Sequence, residues 1–272
     1  MQVTKSAYYK YLRKKSKTPK QPDVKLIVEL RVLHKKSSGS YGSRRIAQAL
    51  TKSGYRIGRY KVRRLMRQNN IVCKQRRRYS VTTQSDHALP LATNILDRKF
   101  NVEKPNQVWV ADITYLWTAE GWLYIAAVLD LFSRRVIGWA MLDHMRADLV
   151  KDAFEMAKKQ RRPFRGLLHH SDRGIQYASQ QYQQLLQASE VIISMSRKGN
   201  CWDNAVMERF FGTLKSERTD GKNYSTRDEA KVDVIDFIEI FYNRQRLHST
   251  LNYVSPTHYE MNFWTNNMVR SV

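Results

Sequence analysis

The sequence predicts an α/β protein, a mixed sheet with flanking helices, preceded by an all-α helix-turn-helix domain. Three observations carry that prediction. The first 80 residues hold short amphipathic segments dense in lysine and arginine; from Val108 the texture turns to strands joined by short turns; and after that meander, helical and strand patterns alternate. With 272 residues and 42% hydrophobic content, the chain has material for about two domains with real cores.

The first segment follows Pro22, with Val24, Ile27, Val28, Leu30 and Leu33 in a helix-like pattern. A second, SRRIAQALTK at 43–52, stops at Ser53-Gly54, a helix C-terminal signal. The third, GRYKVRRLMRQNN at 58–70, turns Val62, Leu65 and Met66 inward and leaves Arg59, Lys61, Arg63, Arg64 and Arg67 mostly outward. Two short helices, a glycine-containing turn and a basic second helix make a helix-turn-helix candidate, with 58–70 as the helix for the major groove. Residues 1–80 are therefore read as a basic helical DNA-binding region and 81–107, polar and weakly periodic, as a linker.

From Val108 three strands are expected, VWVADITYLW, WLYIAAVLDLF and RVIGWAMLDH, turning at Ala119-Glu120-Gly121 and Ser133-Arg134. A helix at 146–160, a strand GLLHHSD at 166–172, a helix at 179–188 and a strand VIISMS at 191–196 follow, and then a helix within 199–217. The core is bounded at 108–220, with 221–272 as a C-terminal helical extension.

Charge is informative by its location. Residues 1–80 hold 24 lysines and arginines against only Asp23 and Glu29, whereas residues 81–272 are nearly balanced. So dense a cationic region repels itself, and a polyanionic partner that releases counterions on binding relieves the repulsion. The longest apolar stretch, 121–132, is shorter than the ~18 residues of a spanning helix and is interrupted by Asp130. The basic N-terminus has no apolar run behind it, so a cytoplasmic, nucleoid-associated protein is expected. Cys73 and Cys201 are too few for a disulfide framework or a zinc site.

The chemistry-bearing candidates are carboxylates. Asp112 interrupts an apolar strand, where a buried Asp needs a partner. Asp172 closes a strand just before Arg173-Gly174, at the carboxyl end where α/β folds gather ligands. Glu208 shares a narrow helix face with Asn204, Gly212 and Lys215, at the shoulder of the stripe Met207, Phe210, Phe211 and Leu214. Three converging carboxylates repel by roughly 1 kcal/mol per pair at about 4 Å in water and by several times that in a protein site. A divalent cation removes that cost. An all-oxygen set suits Mg²⁺ or Mn²⁺, and two ions can activate an attacking oxygen and stabilise the leaving oxygen of a phosphodiester.

The surrounding residues carry a resemblance. WVADITY (109–115), HHSDRGIQY (169–177), SRKGNCWDNAVMERFFGTLKSE (196–217) and YNRQRLHSTLNYVSP (242–256) together resemble the second-frame, OrfB-type transposase of the IS-three family of bacterial insertion sequences, over nearly the whole chain. The resemblance implies a ribonuclease H-like core of the retroviral-integrase type, with the Asp-Asp-(35)-Glu triad on Asp112, Asp172 and Glu208 as catalytic and metal-holding residues, and two Mg²⁺ or Mn²⁺ ions. Lys215 matches the family's basic residue seven places after the glutamate, associated with DNA near the active site. The implied activity is metal-dependent cleavage at element ends and 3′-OH strand transfer into DNA.

The implied partners are double-stranded DNA, comprising terminal inverted repeats and target, a homodimer or higher assembly on it, and the first-frame OrfA protein, to which family members are fused by frameshifting. No leucine zipper of that first frame is recognisable here. Gln176 and Tyr177, after the second Asp, and Arg244, Arg246 and His248 of the tail block are further candidate DNA contacts. Trp202 is a candidate site-wall contact, and His170 reads as a structural strand-end histidine. Two rival readings stay open: a catalytically inactive DNA-binding regulator, and a ribonuclease H-like or junction-resolving nuclease.

Overall fold

The computed structural model describes residues 4–15, 23–74 and 89–269. The first half of the expected linker, including the basic run at 75–78, lies outside the described residues, as does the side chain of Cys201. The chain forms two compact units, one of residues 1–36 and 41–73, the other of 37–40 and 74–272.

In the smaller unit, α1 (Lys5–Lys15) and α2 (Val24–Lys36) precede α3 (Ser43–Lys52) and α4 (Arg59–Gln68). The register of α2 differs from the expectation: Leu26 and Leu30 are its buried residues, while Val24, Val28 and Val32 face solvent. β-branched residues spaced four apart on a helix form a stripe as readily on the wet face as on the dry one, and packing decided for the leucines. α3 buries Ile46, Ala47 and Leu50 and ends at Ser53-Gly54, where Gly54 takes a φ of +89° and the Tyr55 N–H reaches back to the Leu50 carbonyl. α4 buries Val62 and Met66, with Arg59, Lys61, Arg63, Arg64 and Arg67 all exposed.

The larger unit is built on a five-stranded mixed sheet in the order β3-β2-β1-β4-β5. β1 (Val108–Thr118), β2 (Gly121–Asp130) and β3 (Val136–Leu142) form the antiparallel meander, and β4 (Leu168–Ser171) and β5 (Ile192–Met195) add in parallel. Between the strands run α5 (Ala147–Arg161), α6 (Ile175–Ala178) and α7 (Gln180–Ala188). After them come a 3₁₀ turn (Cys201–Asn204), α8 (Ala205–Leu214), α9 (Arg227–Ile235) and α10 (Pro256–Val269).

Period-two alternation divides the apolar residues between two cores. Trp109, Ala111, Ala126, Val128 and Ile137 pack with α5, α6 and α7 on one face. Val110, Leu116, Leu123, Ile125 and Leu129 pack on the other with α8, α9 and the π-helical segment Asp236–Gln245. The region read as a C-terminal extension is thus part of the core, because Val234, Phe237, Ile238 and Tyr242 cover the sheet. The described part of the linker, 89–107, is irregular but docked: Leu96 is buried, and the N–H groups of Ile95 and Leu96 bond to Ser194 Oγ on β5.

Candidate active site

Strand register brings the first two carboxylates together. β1 and β4 run parallel with Val108, Trp109 and Val110 opposite Leu168, His169 and His170. Asp112 stands two residues past the last of these pairs on β1 and Asp172 directly follows β4, close enough for the Asp172 charge to act on the Asp112 carboxyl. Asp172 turns back on itself there. Its Oδ1 accepts the Gly174 N–H at 2.9 Å, and a Cβ on Gly174 would crowd that same oxygen at 3.0 Å, so a side chain there would press on the Asp172 carboxylate.

Glu208 arrives by helix docking. α8 buries Met207, Phe210, Phe211 and Leu214 and leaves Glu208 exposed beside them. Each of those apolar side chains contributes roughly 1.5–3 kcal/mol on burial, enough to outweigh the repulsion of bringing one more carboxylate to a pair.

The electrostatics record the convergence. Burial, the Asp172 charge and then the Glu208 charge push the Asp112 carboxyl well above the usual carboxylate range; the Ile113 N–H, donating to Asp112 Oδ1 at 2.8 Å, and the Lys215 ammonium oppose them. Lys215 is half-buried with its ammonium 5.1 Å from the centre of the Tyr115 ring. Desolvation lowers its affinity for the proton, while Asp220 and Asp112 raise it.

Among the described residues no group of three His, Cys, Asp or Glu side chains forms a ready-made metal cluster. The donor set nevertheless fits a hard cation. It consists of carboxylate oxygens that repel one another, and a buried polar atom near Asp112 and Asp172, Tyr177 Oη, has no hydrogen-bond partner among the described residues.

Three expected DNA contacts are placed otherwise. Gln176 and Tyr177 are buried in α6, where Gln176 donates to the Met145 carbonyl at 2.9 Å and Tyr177 packs edge-on to Tyr182, so neither side chain faces outward. Arg246 is buried in a bidentate pair with Glu217, at 2.7 and 2.6 Å, so its guanidinium is engaged within the fold. His248 is half-buried, its Nδ1 2.8 Å from Thr250 Oγ1, and Arg244 is exposed. Trp202 is 68% exposed, and His170 lies buried between Ser194 and Ser196, as a structural histidine should.

Residue reading missed Asp203 and the bond made by Asn204. Asp203 is fully buried amid arginine and asparagine donors, and Asn204 Nδ2 donates to the Ala111 carbonyl of β1 at 3.1 Å. The only sequence signal was an Asp-Asn pair at a helix start, which normally reads as an ordinary cap.

Residues 21–79 match an HTH-like domain, and residues 102–201 and 189–256 match integrase core domains. An uncharacterized 31 kDa protein of insertion element IS600 from Shigella sonnei is 44% identical over 254 residues, covering 93% of both chains. Transposase InsF for insertion sequence IS3A from Escherichia coli (strain K12) is 37% identical over 262 residues, 96% of this chain and 91% of its own.

Among solved structures, a chain of a simian T-cell lymphotropic virus intasome complex aligns with a TM-score of 0.49 at 16% identity, over 85% of this chain and 74% of its own. The HTLV-2 integrase catalytic core aligns at 0.44 and 16%, over 58% and 97%. With an HTH-like domain ahead of an integrase core, and identity to InsF sustained along almost its whole length, the chain belongs to the IS3 family of insertion-sequence transposases.

Proposed function

We propose that this chain is a divalent-metal-dependent transposase that cuts DNA at the ends of an insertion sequence and joins the resulting 3′-OH ends to target DNA. The observation that supports the proposal is that the Asp172 and Glu208 charges both act on the buried Asp112 carboxyl, Asp112 lying just past the β1–β4 pairs and Glu208 on the docked helix. Asp112, Asp172 and Glu208 would hold two Mg²⁺ or Mn²⁺ ions. When bound, such ions supply Lewis-acid charge that lowers the pKa of an attacking oxygen and stabilises the leaving oxygen.

The rest is work for the chain's own residues. In strand transfer the 3′ oxygen bonds to a target phosphorus as the opposite P–O3′ bond breaks, and the departing oxygen takes up a proton. Lys215, steadied on Tyr115, can neutralise a phosphate beside the carboxylates.

DNA is held mainly by residues 1–80. α4 presents Arg59, Lys61, Arg63, Arg64 and Arg67 outward, and its first turn carries cations and no side-chain cap. Cations there oppose the helix dipole, a conflict that an adjacent phosphate relieves. In the core unit, exposed Arg244 and half-buried His248 are proposed as separate DNA contacts. Double-stranded DNA of the terminal repeats and target, further copies of the chain assembled on it, and the first-frame protein are the proposed partners.

The test is a strand-transfer assay with labelled element ends. Replacing Asp112, Asp172 or Glu208 singly by Ala should abolish cleavage and joining while DNA affinity stays close to the wild type. More than a few per cent of residual activity would remove that residue from the site.

A further inference from the structure

Residues 196–204 link β5 to α8, and so set where Glu208 stands. At the end of this link Asp203, fully buried, accepts from Asn94 Nδ2 at 2.9 Å and Arg98 Nε at 2.8 Å. It also accepts from the backbone N–H and Nε of Arg197 at 3.0 Å each, and from Arg197 Nη2 at 2.9 Å. A carboxylate buried this way is tolerated because its lone pairs are filled by charged and neutral donors from two separate segments.

Asn204 follows directly. It occupies the N-cap of α8 but makes no side-chain cap, although asparagine is among the best capping residues. Its carboxamide instead donates to the Ala111 carbonyl, one residue beyond the last β1–β4 pair, Val110 with His170. The side chain thus bonds β1 just past the end of its ladder with β4, on the residue that precedes Asp112. Glu208 lies one helical turn after Asn204.

We infer that Asp203 and Asn204 form a positioning clasp: Asp203 locks the link, and Asn204 ties the helix of Glu208 to the strand of Asp112, fixing the separation of the two carboxylates. The inference rests on the metal-holding role proposed above. Neither residue is assigned contact with the reacting atoms.

Asn204→Leu keeps the size of the side chain and removes the donor. Arg98→Met withdraws one donor from Asp203 without touching α8, and so serves if Asn204→Leu does not fold. Both are made in the full-length chain and compared with the wild type by Mn²⁺ calorimetry and by the ratio of strand transfer in Mg²⁺ to that in Mn²⁺. Mg²⁺ demands near-ideal octahedral geometry, so a displaced Glu208 should penalise it more, a discrimination that general loss of stability would not produce.

For Asn204→Leu we expect Mn²⁺ affinity to fall about tenfold and the Mg²⁺ to Mn²⁺ ratio to fall at least about tenfold, with DNA affinity unchanged. Arg98→Met should move both in the same direction by about threefold. A folded Asn204→Leu with wild-type Mn²⁺ affinity and ratio, or an Arg98→Met with an unchanged ratio where Asn204→Leu does not fold, overturns the clasp. A wild-type chain that neither binds Mn²⁺ nor transfers strands would instead overturn the proposed function, and the clasp with it.

Discussion

Lys215 is held between an aromatic face and a carboxylate, and the two hold it for different reasons. The Tyr115 ring fixes the ammonium where water is partly stripped from it, and Asp112 and Asp220 keep the charge favourable there. A residue so placed can donate to a phosphate but cannot ligate a cation. Lys215→Ala should therefore bind Mn²⁺ like the wild type yet transfer strands more slowly, by about 1–3 kcal/mol in barrier at low salt, with the defect shrinking as salt rises and screens the contact that the wild type makes. Lys215→Arg should restore most of the rate, since a guanidinium stacks on tyrosine equally well; calorimetry and single-turnover assays check both.

His169 offers a prediction of another kind. Burial, reinforced by His170, pulls it down to about 3, and its Nε2 lies 3.0 Å from Tyr182 Oη. The unfolded imidazole titrates near 6.5. Between those values the unfolded chain binds a proton that the folded chain refuses, so this contribution is intact above the upper value and is lost as pH falls through the window, by roughly 2 kcal/mol at about pH 5. In urea unfolding between pH 7 and 5, His169→Phe should lose less stability than the wild type by about that amount. Equal losses would refute it.

Elements were legible where a single periodicity governed them. α3 and α4 followed from apolar spacing and from Gly54, and the meander and both later strands from alternation and turn residues. α2 was harder, because its valine stripe and its leucines compete for the core with equal hydrophobicity. The widening of the helix after α8 was not legible at all: Lys215–Thr219 is π-helical, with the Asp220 N–H reaching the Lys215 carbonyl at 2.7 Å, and nothing in local propensity marks such a turn.

The packing of β3 on α5 is equally silent in sequence. A Cβ at Gly138 would fall on the Ala153 carbonyl oxygen and 2.7 Å from the Ala157 Cβ. Gly138→Ala should therefore destabilise the core by about 1–3 kcal/mol, toward the upper end because the obstacle is backbone, read from the denaturant midpoint.

At the scale of the whole chain, charge and chemistry are separated along the sequence. The carboxylates were legible as candidates because each broke a local rule: Asp112 in an apolar strand, Asp172 at a strand end, Glu208 at a stripe's edge. How they are placed relative to one another depends on strand pairing and helix docking, which no window of sequence contains; hence Asp203 and the bond that Asn204 makes to Ala111 escaped notice, while the carboxylates did not. The basic region was visible at once, since electrostatics needs no fold to be counted. It predicts an outcome independent of the active site. Removing residues 1–80 deletes 24 cationic side chains and only Asp23 and Glu29, while the remainder is nearly neutral. Every phosphate that a cationic side chain neutralises steepens the fall of log affinity with log salt by about 0.9. The truncated chain should stay folded, because both sheet cores lie beyond residue 88. It should bind DNA far more weakly and with a much shallower salt dependence, whereas a Glu208→Ala full-length chain should keep the wild-type slope. A truncated chain with an unchanged slope would place the DNA-binding surface on the core instead.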